Sequence, residues 1–146
     1  MSFKIFMVIV LFFGCCHAQK LIKPLGFNKD SISINTNIKL HDAVSFENLI
    51  ITFEKVIVDS RCPKGVQCVR AGEAKVLISI FEDGIFLENK VIIIDPEGYI
   101  FKNNMFYKKK TYELYLSALH PHPKADEKIT DETYNADFFV MRNYRQ

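Results

Sequence analysis

The sequence predicts an all-β fold, an antiparallel sandwich of about eight short strands. Three observations predict it. Apolar residues recur at period two along most of the chain, turn-forming residues separate those runs at regular spacing, and no stretch beyond the N-terminus shows the i, i+3, i+4, i+7 stripe of an amphipathic helix.

The first eighteen residues, MSFKIFMVIVLFFGCCHA, fall outside that pattern. Lys4 supplies a positive start, Ile5 through Phe13 are uninterruptedly apolar, and small residues lead to Ala18 before Gln19. This is the layout of a secretory signal. A helix of that apolar run is about 14 Å long, too short for a hydrocarbon core of about 30 Å, so no transmembrane span is expected. Cleavage after Ala18 leaves a soluble chain. A second route starts from Leu11–Cys15, LFFGC, which resembles a bacterial lipobox with Cys15 as the lipidated residue, although Phe12 stands where an aliphatic residue is usual. Either route exports the protein, to the medium, the periplasm or the cell envelope, the second with a lipid anchor. The expected organisation is a signal peptide at 1–18, a short leader at 19–30 broken by Pro24 and Gly26, and one sandwich domain at 31–146.

The strands follow in order. Ile32 and Ile34 alternate with serines, and residues 49–58, LIITFEKVIV, are β-branched and aromatic. Ala74, Val76, Ile78 and Ile80 share one face, with Lys75 and Ser79 on the other. Asp83-Gly84 between apolar runs is a hairpin signal. Residues 91–95, VIIID, end at a turn, Pro96-Glu97-Gly98. Residues 99–112 mix aromatics with the lysine run 108–110. They read as a strand, an Asn103-Asn104 turn and an edge guarded by lysine. Tyr112, Leu114 and Leu116 alternate with Glu113, Tyr115 and Ser117. His120-Pro-His-Pro123 is an extended exit from that strand, since each proline biases its predecessor to extended backbone. Residues 124–133 are polar, a long loop or one helical turn, and Tyr134, Ala136, Phe138 and Val140 form the closing strand. The expected arrangement is immunoglobulin-like. It lacks the antibody Cys…Trp…Cys framework, because there is no Trp and the cysteines lie too close to bridge two sheets.

The densest stretch is DSRCPKGVQCVRAGEA, residues 59–74. It connects two strands through about fourteen residues, long for a compact domain, and long connections are often functional. With the signal removed, Cys62 and Cys68 are the two cysteines that remain. In an exported chain such a pair reads as a disulfide. In the chain-entropy treatment a loop of that size contributes about 2.4 kcal/mol, so the bond is a local staple on a domain that folds by burial. Arg61, Lys64 and Arg70 project around it, with Asp59 and Glu73 at its ends. Asp59 or another acid is the expected partner of Arg61. The candidate partner-binding loop is Arg61, Lys64, Gly65, Val66, Gln67 and Arg70, with Lys64 to Gln67 as its tip. The opposing reading is a solvated loop whose staple only stiffens the fold.

Other chemistries fit poorly. An oxidising compartment argues against Cys62 as a nucleophile, and five intervening residues are too many for a CxxC redox motif. The same spacing exceeds the usual zinc spacing, and His120 and His122 are too close together for it, so no metal or cofactor is expected. There is no G-x-S-x-G and no H-E-x-x-H. Net charge is +2 for the whole chain, which with export excludes a nucleic-acid partner. The carboxylates Asp59, Glu73, Asp95, Glu97, Asp126, Asp131 and Asp137 are scattered.

Residues 59–76, DSRCPKGVQCVRAGEAKV, resemble a motif of small exported bacterial proteins of unknown function: D-S-R-C-P, four residues, then C-[VI]-W-A-G-x-[AV] leading into a strand. Asp59, Ser60, Arg61, Cys62, Pro63, Cys68, Val69, Ala71, Gly72 and Ala74 match. The later LYLSALHPHPK…ETYNADFFVMR is similar to the same group's closing pattern, so the resemblance spans most of residues 42–142. Arg70 stands where the group has Trp. The resemblance implies no activity. The expectation is an exported, non-catalytic β-sandwich module whose partner is a protein or glycan at the cell envelope. The alternatives are a secreted protease inhibitor presenting residues 61–70 and a carboxylate-based hydrolase.

Overall fold

A computed structural model describes residues 22–24, 33–94 and 104–142, with side chains from residue 36 onward. The signal segment with Cys15, the Pro96-Glu97-Gly98 turn and residues 99–103 lie outside the described residues.

The described chain is an all-β sandwich. Its strands are β1 (Ile22–Pro24), β2 (Ser33–Lys39), β3 (Ala43–Phe46), β4 (Leu49–Asp59), β5 (Ala74–Glu82), β6 (Ile85–Ile94), β7 (Met105–Lys108), β8 (Tyr112–His120) and β9 (Asn135–Arg142). A single 3-10 turn, Asp131–Thr133, interrupts the polar segment before β9. One sheet has the order β1-β3-β4-β5-β6, and the other β2-β9-β8-β7. All pairs are antiparallel except β1 with β3, which places Ile22–Pro24 of the expected leader along the sheet edge. The expectation of an all-β sandwich of about eight strands holds, as two packed sheets that are antiparallel apart from the β1–β3 pair. Within each sheet the connections are mostly successive hairpins, and β2 pairs with the distant β9.

Period-two alternation builds the core. Val44, Phe46, Leu49, Ile51, Phe53, Val76, Ile78, Ile80, Ile92 and Ile94 of the first sheet face Ile38, Phe106, Tyr112, Leu114, Leu116, Leu119, Ala136, Phe138 and Val140 of the second. Each large side chain buried this fully contributes about 1.5–3 kcal/mol. Asp83 and Gly84 turn β5 into β6 with φ of 51° and 79°, the left-handed pair that a two-residue hairpin requires.

β-Bulges tune the phase of the strands. In β4 the pairing slips between Phe53 and Lys55 and again between Val56 and Val58. Phe53, Val56 and Asp59 therefore follow one another on the inward side, and Asp59 pairs with the buried Ala74. In β8 a slip between Leu116 and Ala118 turns Leu119, not Ala118, into the core. The Val56/Val58 slip and the β8 slip act near the same end of the sandwich, where the long β4–β5 loop emerges.

Candidate functional site

The β4–β5 connection, residues 60–73, closes that end of the molecule. Its base is hydrogen-bonded like a short ladder. Ser60 N–H donates to Glu73 O at 2.9 Å and Cys62 N–H to Ala71 O at 2.8 Å. The Ser60 hydroxyl also donates to Glu73 O, at 2.9 Å. Cys62 and Cys68 are joined as a disulfide, with Cα atoms 6.0 Å apart.

Beneath the base sits a buried ion pair. Arg61 Nε donates to Asp59 Oδ1 at 2.8 Å and Nη2 to Oδ2 at 2.7 Å, a two-pronged contact between side chains that are 5% and 6% exposed. The rest of the guanidinium is also used. Nη1 donates to Leu119 O at 2.6 Å and Nη2 to Pro121 O at 2.8 Å. Tyr134 hydroxyl donates to Asp59 Oδ2 at 3.1 Å. A buried pair is tolerated when its remaining donors and acceptors are filled in this way. Burial by itself would push the Asp59 carboxyl up, but the Arg61 hydrogen bonds and charge, with the Tyr134 hydroxyl, hold it below the ordinary carboxylate range. Burial, with the Asp59 charge and hydrogen bond beside it, pushes the Tyr134 phenol up to about 12.

The loop also zips to the segment leaving β8. His122 Nε2 lies 2.9 Å from Cys62 O, and because a carbonyl only accepts, Nε2 carries the proton. Lys64 N–H donates to Pro123 O at 2.9 Å. His120 and His122 thus act on opposite sides of the cis His120–Pro121 bond, with His120 directed to Asp137 at 3.0 Å.

What remains exposed is the tip. Lys64, Gly65, Val66, Gln67, Val69 and Arg70 are all exposed, Val69 completely. Of the six residues expected to face a partner, five lie on this surface. Arg61 does not: its guanidinium points inward to Asp59, so it anchors the loop rather than contacting anything beyond it. Arg70, at the position where the resembling group has Trp, is exposed and enters none of the ion pairs among the described residues.

The carboxylates are dispersed. Asp59 is committed to Arg61, Glu73 pairs with Lys75 at 2.8 Å, Asp137 receives Asn37 Nδ2 at 2.7 Å and faces His120, and Asp126 and Asp131 are exposed. Asp95 and Glu97 are outside the described residues. Among the described residues no group of three His, Cys, Asp or Glu is placed to hold a metal ion. No described helix is long and apolar enough to cross a membrane.

The sequence offers Arg61 either Asp59 or another acid and carries no signal for Tyr134, Leu119 O or Pro121 O. Tyr134 was readable only as a strand residue, because nothing in its spacing ties it to Asp59, and the two carbonyls carry no side-chain signature. The lysine run held another surprise at the opposite end of the sandwich. Lys109 bonds Glu82 and Asn48 and sits 5.9 Å from the centroids of both Tyr107 and Tyr112, whereas Lys108 guards the edge strand β7 as expected.

No protein-family model matches the chain, and no curated protein or solved structure matches it.

Proposed function

We propose that this is an exported, non-catalytic binding module, and that its contact surface is the tip Lys64–Gln67 with Val69 and Arg70. One observation supports this above the others: the loop backbone is held at many points while the side chains of its tip are left exposed. A disulfide, a bidentate buried ion pair and bonds to the β8 exit segment hold the base. Two exposed valines stand among two exposed cations at the tip. Holding a loop in one geometry before contact removes much of the ordering cost of binding. Export follows from the charged, apolar and small-residue order of positions 1–18, and it supplies the oxidising setting that the disulfide requires. The cation and valine mixture suits an acidic protein surface with an apolar centre at the cell envelope or in the medium.

A photo-crosslinking residue at Val69 tests this in cells exporting the protein. The reading predicts a discrete adduct from Val69 that disappears when Lys64→Ala and Arg70→Ala are added. It predicts no such adduct from Lys110, which is exposed at the other end of the sandwich. Equal adducts from both positions, or none from Val69, would refute it.

The closed geometry with exposed Lys64 and Arg70 also favours a second reading, a protease inhibitor that presents one of these residues as a substrate mimic. Trypsin-like enzymes retaining full activity at micromolar concentrations of the protein would dispose of it.

A further inference from the structure

Strand β6 lies at the opposite edge of its sheet from β1, and among the described residues no strand pairs with its outer side. Such a row of backbone donors and acceptors is a template for another strand. Its side chains make the edge unusual. Ile85, Phe86, Leu87 and Val91 are 69%, 52%, 45% and 50% exposed, a concentration of large apolar groups on one ten-residue strand. Leu87 is the extra residue of a bulge, since Phe81 pairs with Phe86 and Ile80 with Glu88.

Sheet edges are commonly guarded by charged side chains, lysine above all. In β6, Lys90 Nζ lies 3.9 Å from Glu88 Oε1 of the same strand, so the two charges can exchange that contact for one across a pairing. Here the signs are mixed and symmetric. Glu88 and Lys90 flank Asn89, and both pair with inward-facing positions of β5, Ile80 and Ile78. In an antiparallel pairing of two β6 strands with the two-fold axis at Asn89, Glu88 of each copy faces Lys90 of the other. Leu87 of each then falls beside Val91 of the other. Any shift of register loses both ion pairs, and a one-residue shift also exchanges the two faces.

We propose that β6 is a self-association surface that takes a second copy of this chain, joined edge to edge in this register to continue the sheet across a two-fold axis. The charge pattern selects a second copy over an unrelated strand, because the strand is its own electrostatic complement. The surface is separate from the β4–β5 loop, so each protomer keeps its tip exposed.

Sedimentation equilibrium on the disulfide-bonded protein tests this. The wild type is expected to sediment as a dimer at tens of micromolar. Glu88→Lys sets Lys against Lys twice, and Lys90→Glu sets Glu against Glu twice, so each single variant is expected to weaken association by about tenfold or more. Mixed together, the two variants are complementary and are expected to form a heterodimer. Oxidised Asn89→Cys is expected to give a covalent dimer. Lys90 also donates to Phe106 O at 2.9 Å across the open edge of the sandwich. Should Lys90→Glu fail to fold, Glu88→Lys and Asn89→Cys decide the question without it. A wild type that stays monomeric to hundreds of micromolar, or a dimer that Glu88→Lys leaves unchanged, overturns the proposal.

Discussion

Gly72 packs so closely against Ser60 that a Cβ built on it would lie 1.8 Å from the Ser60 carbonyl oxygen, and its φ is +71°. Both facts demand glycine. The close approach is what lets the base of the loop close as a ladder, with Ser60 bonded to Glu73 and Cys62 to Ala71.

Gly72→Ala is therefore expected to cost about 2–4 kcal/mol, from a strained backbone and a steric clash with backbone rather than with a movable side chain. Gly65 is the control. Its φ is +83°, but nothing lies within 4 Å of a Cβ there, so Gly65→Ala should cost only about 1–2 kcal/mol. Urea midpoints of the two variants, compared at equal slope, measure the difference.

Arg61→Ala leaves a buried carboxylate and two carbonyls without their cation. A loss of about 3–5 kcal/mol is expected, because the penalty comes from the orphaned charge rather than from the net worth of the pair. Adding Asp59→Asn to that variant should recover part of the loss, since the charge is then gone. A double variant as unstable as the sum of its single changes would show that the two residues act independently.

The pH dependence has two limbs. Asp59 is held below its ordinary range in the fold, so its contribution is complete above the unfolded carboxylate value of about 4 and is lost as pH falls through the lower folded value. Burial pushes the phenols of Tyr112, Tyr115 and Tyr134 up to about 12. Their contribution is complete below the unfolded phenol value of about 10 and is lost as pH rises towards 12. Stability against pH should fall at both ends. Tyr134→Phe should flatten the alkaline limb and, by removing one bond to Asp59, cost about 1 kcal/mol at neutral pH.

Much of the fold is legible in the sequence. The alternation in residues 49–58, 74–80 and 134–140 and the Asp83-Gly84 turn are local signals, and all four appear as strands or a turn within a residue or two of their expected limits. The long β4–β5 connection is legible too, and Asp59, two residues away, is one of the acids the sequence leaves open to Arg61. The bulges are not. A strict alternation through 112–118 leaves Leu119 unassigned, and only the slip after Leu116 turns it inward and aims its carbonyl at Arg61. The contributions of Leu119, Pro121 and Tyr134 come from tertiary placement across some sixty to seventy-five residues of separation, which no pattern along the chain encodes. The burial of Arg61 has the same origin: a cation in a loop reads as solvated until the carbonyls that receive it are in view.

On the proposed function, the Cys62–Cys68 loop is held ready so that its tip can meet a partner. The most direct test is the yield of the Val69 photo-adduct in the wild-type background against a Cys62→Ser, Cys68→Ser background. Without the bond the domain should lose about 2.4 kcal/mol and remain folded on its buried core. If preorganisation underlies binding, the adduct falls several-fold while the thermal transition stays cooperative. An adduct of undiminished yield from the folded, disulfide-free protein would contradict the account.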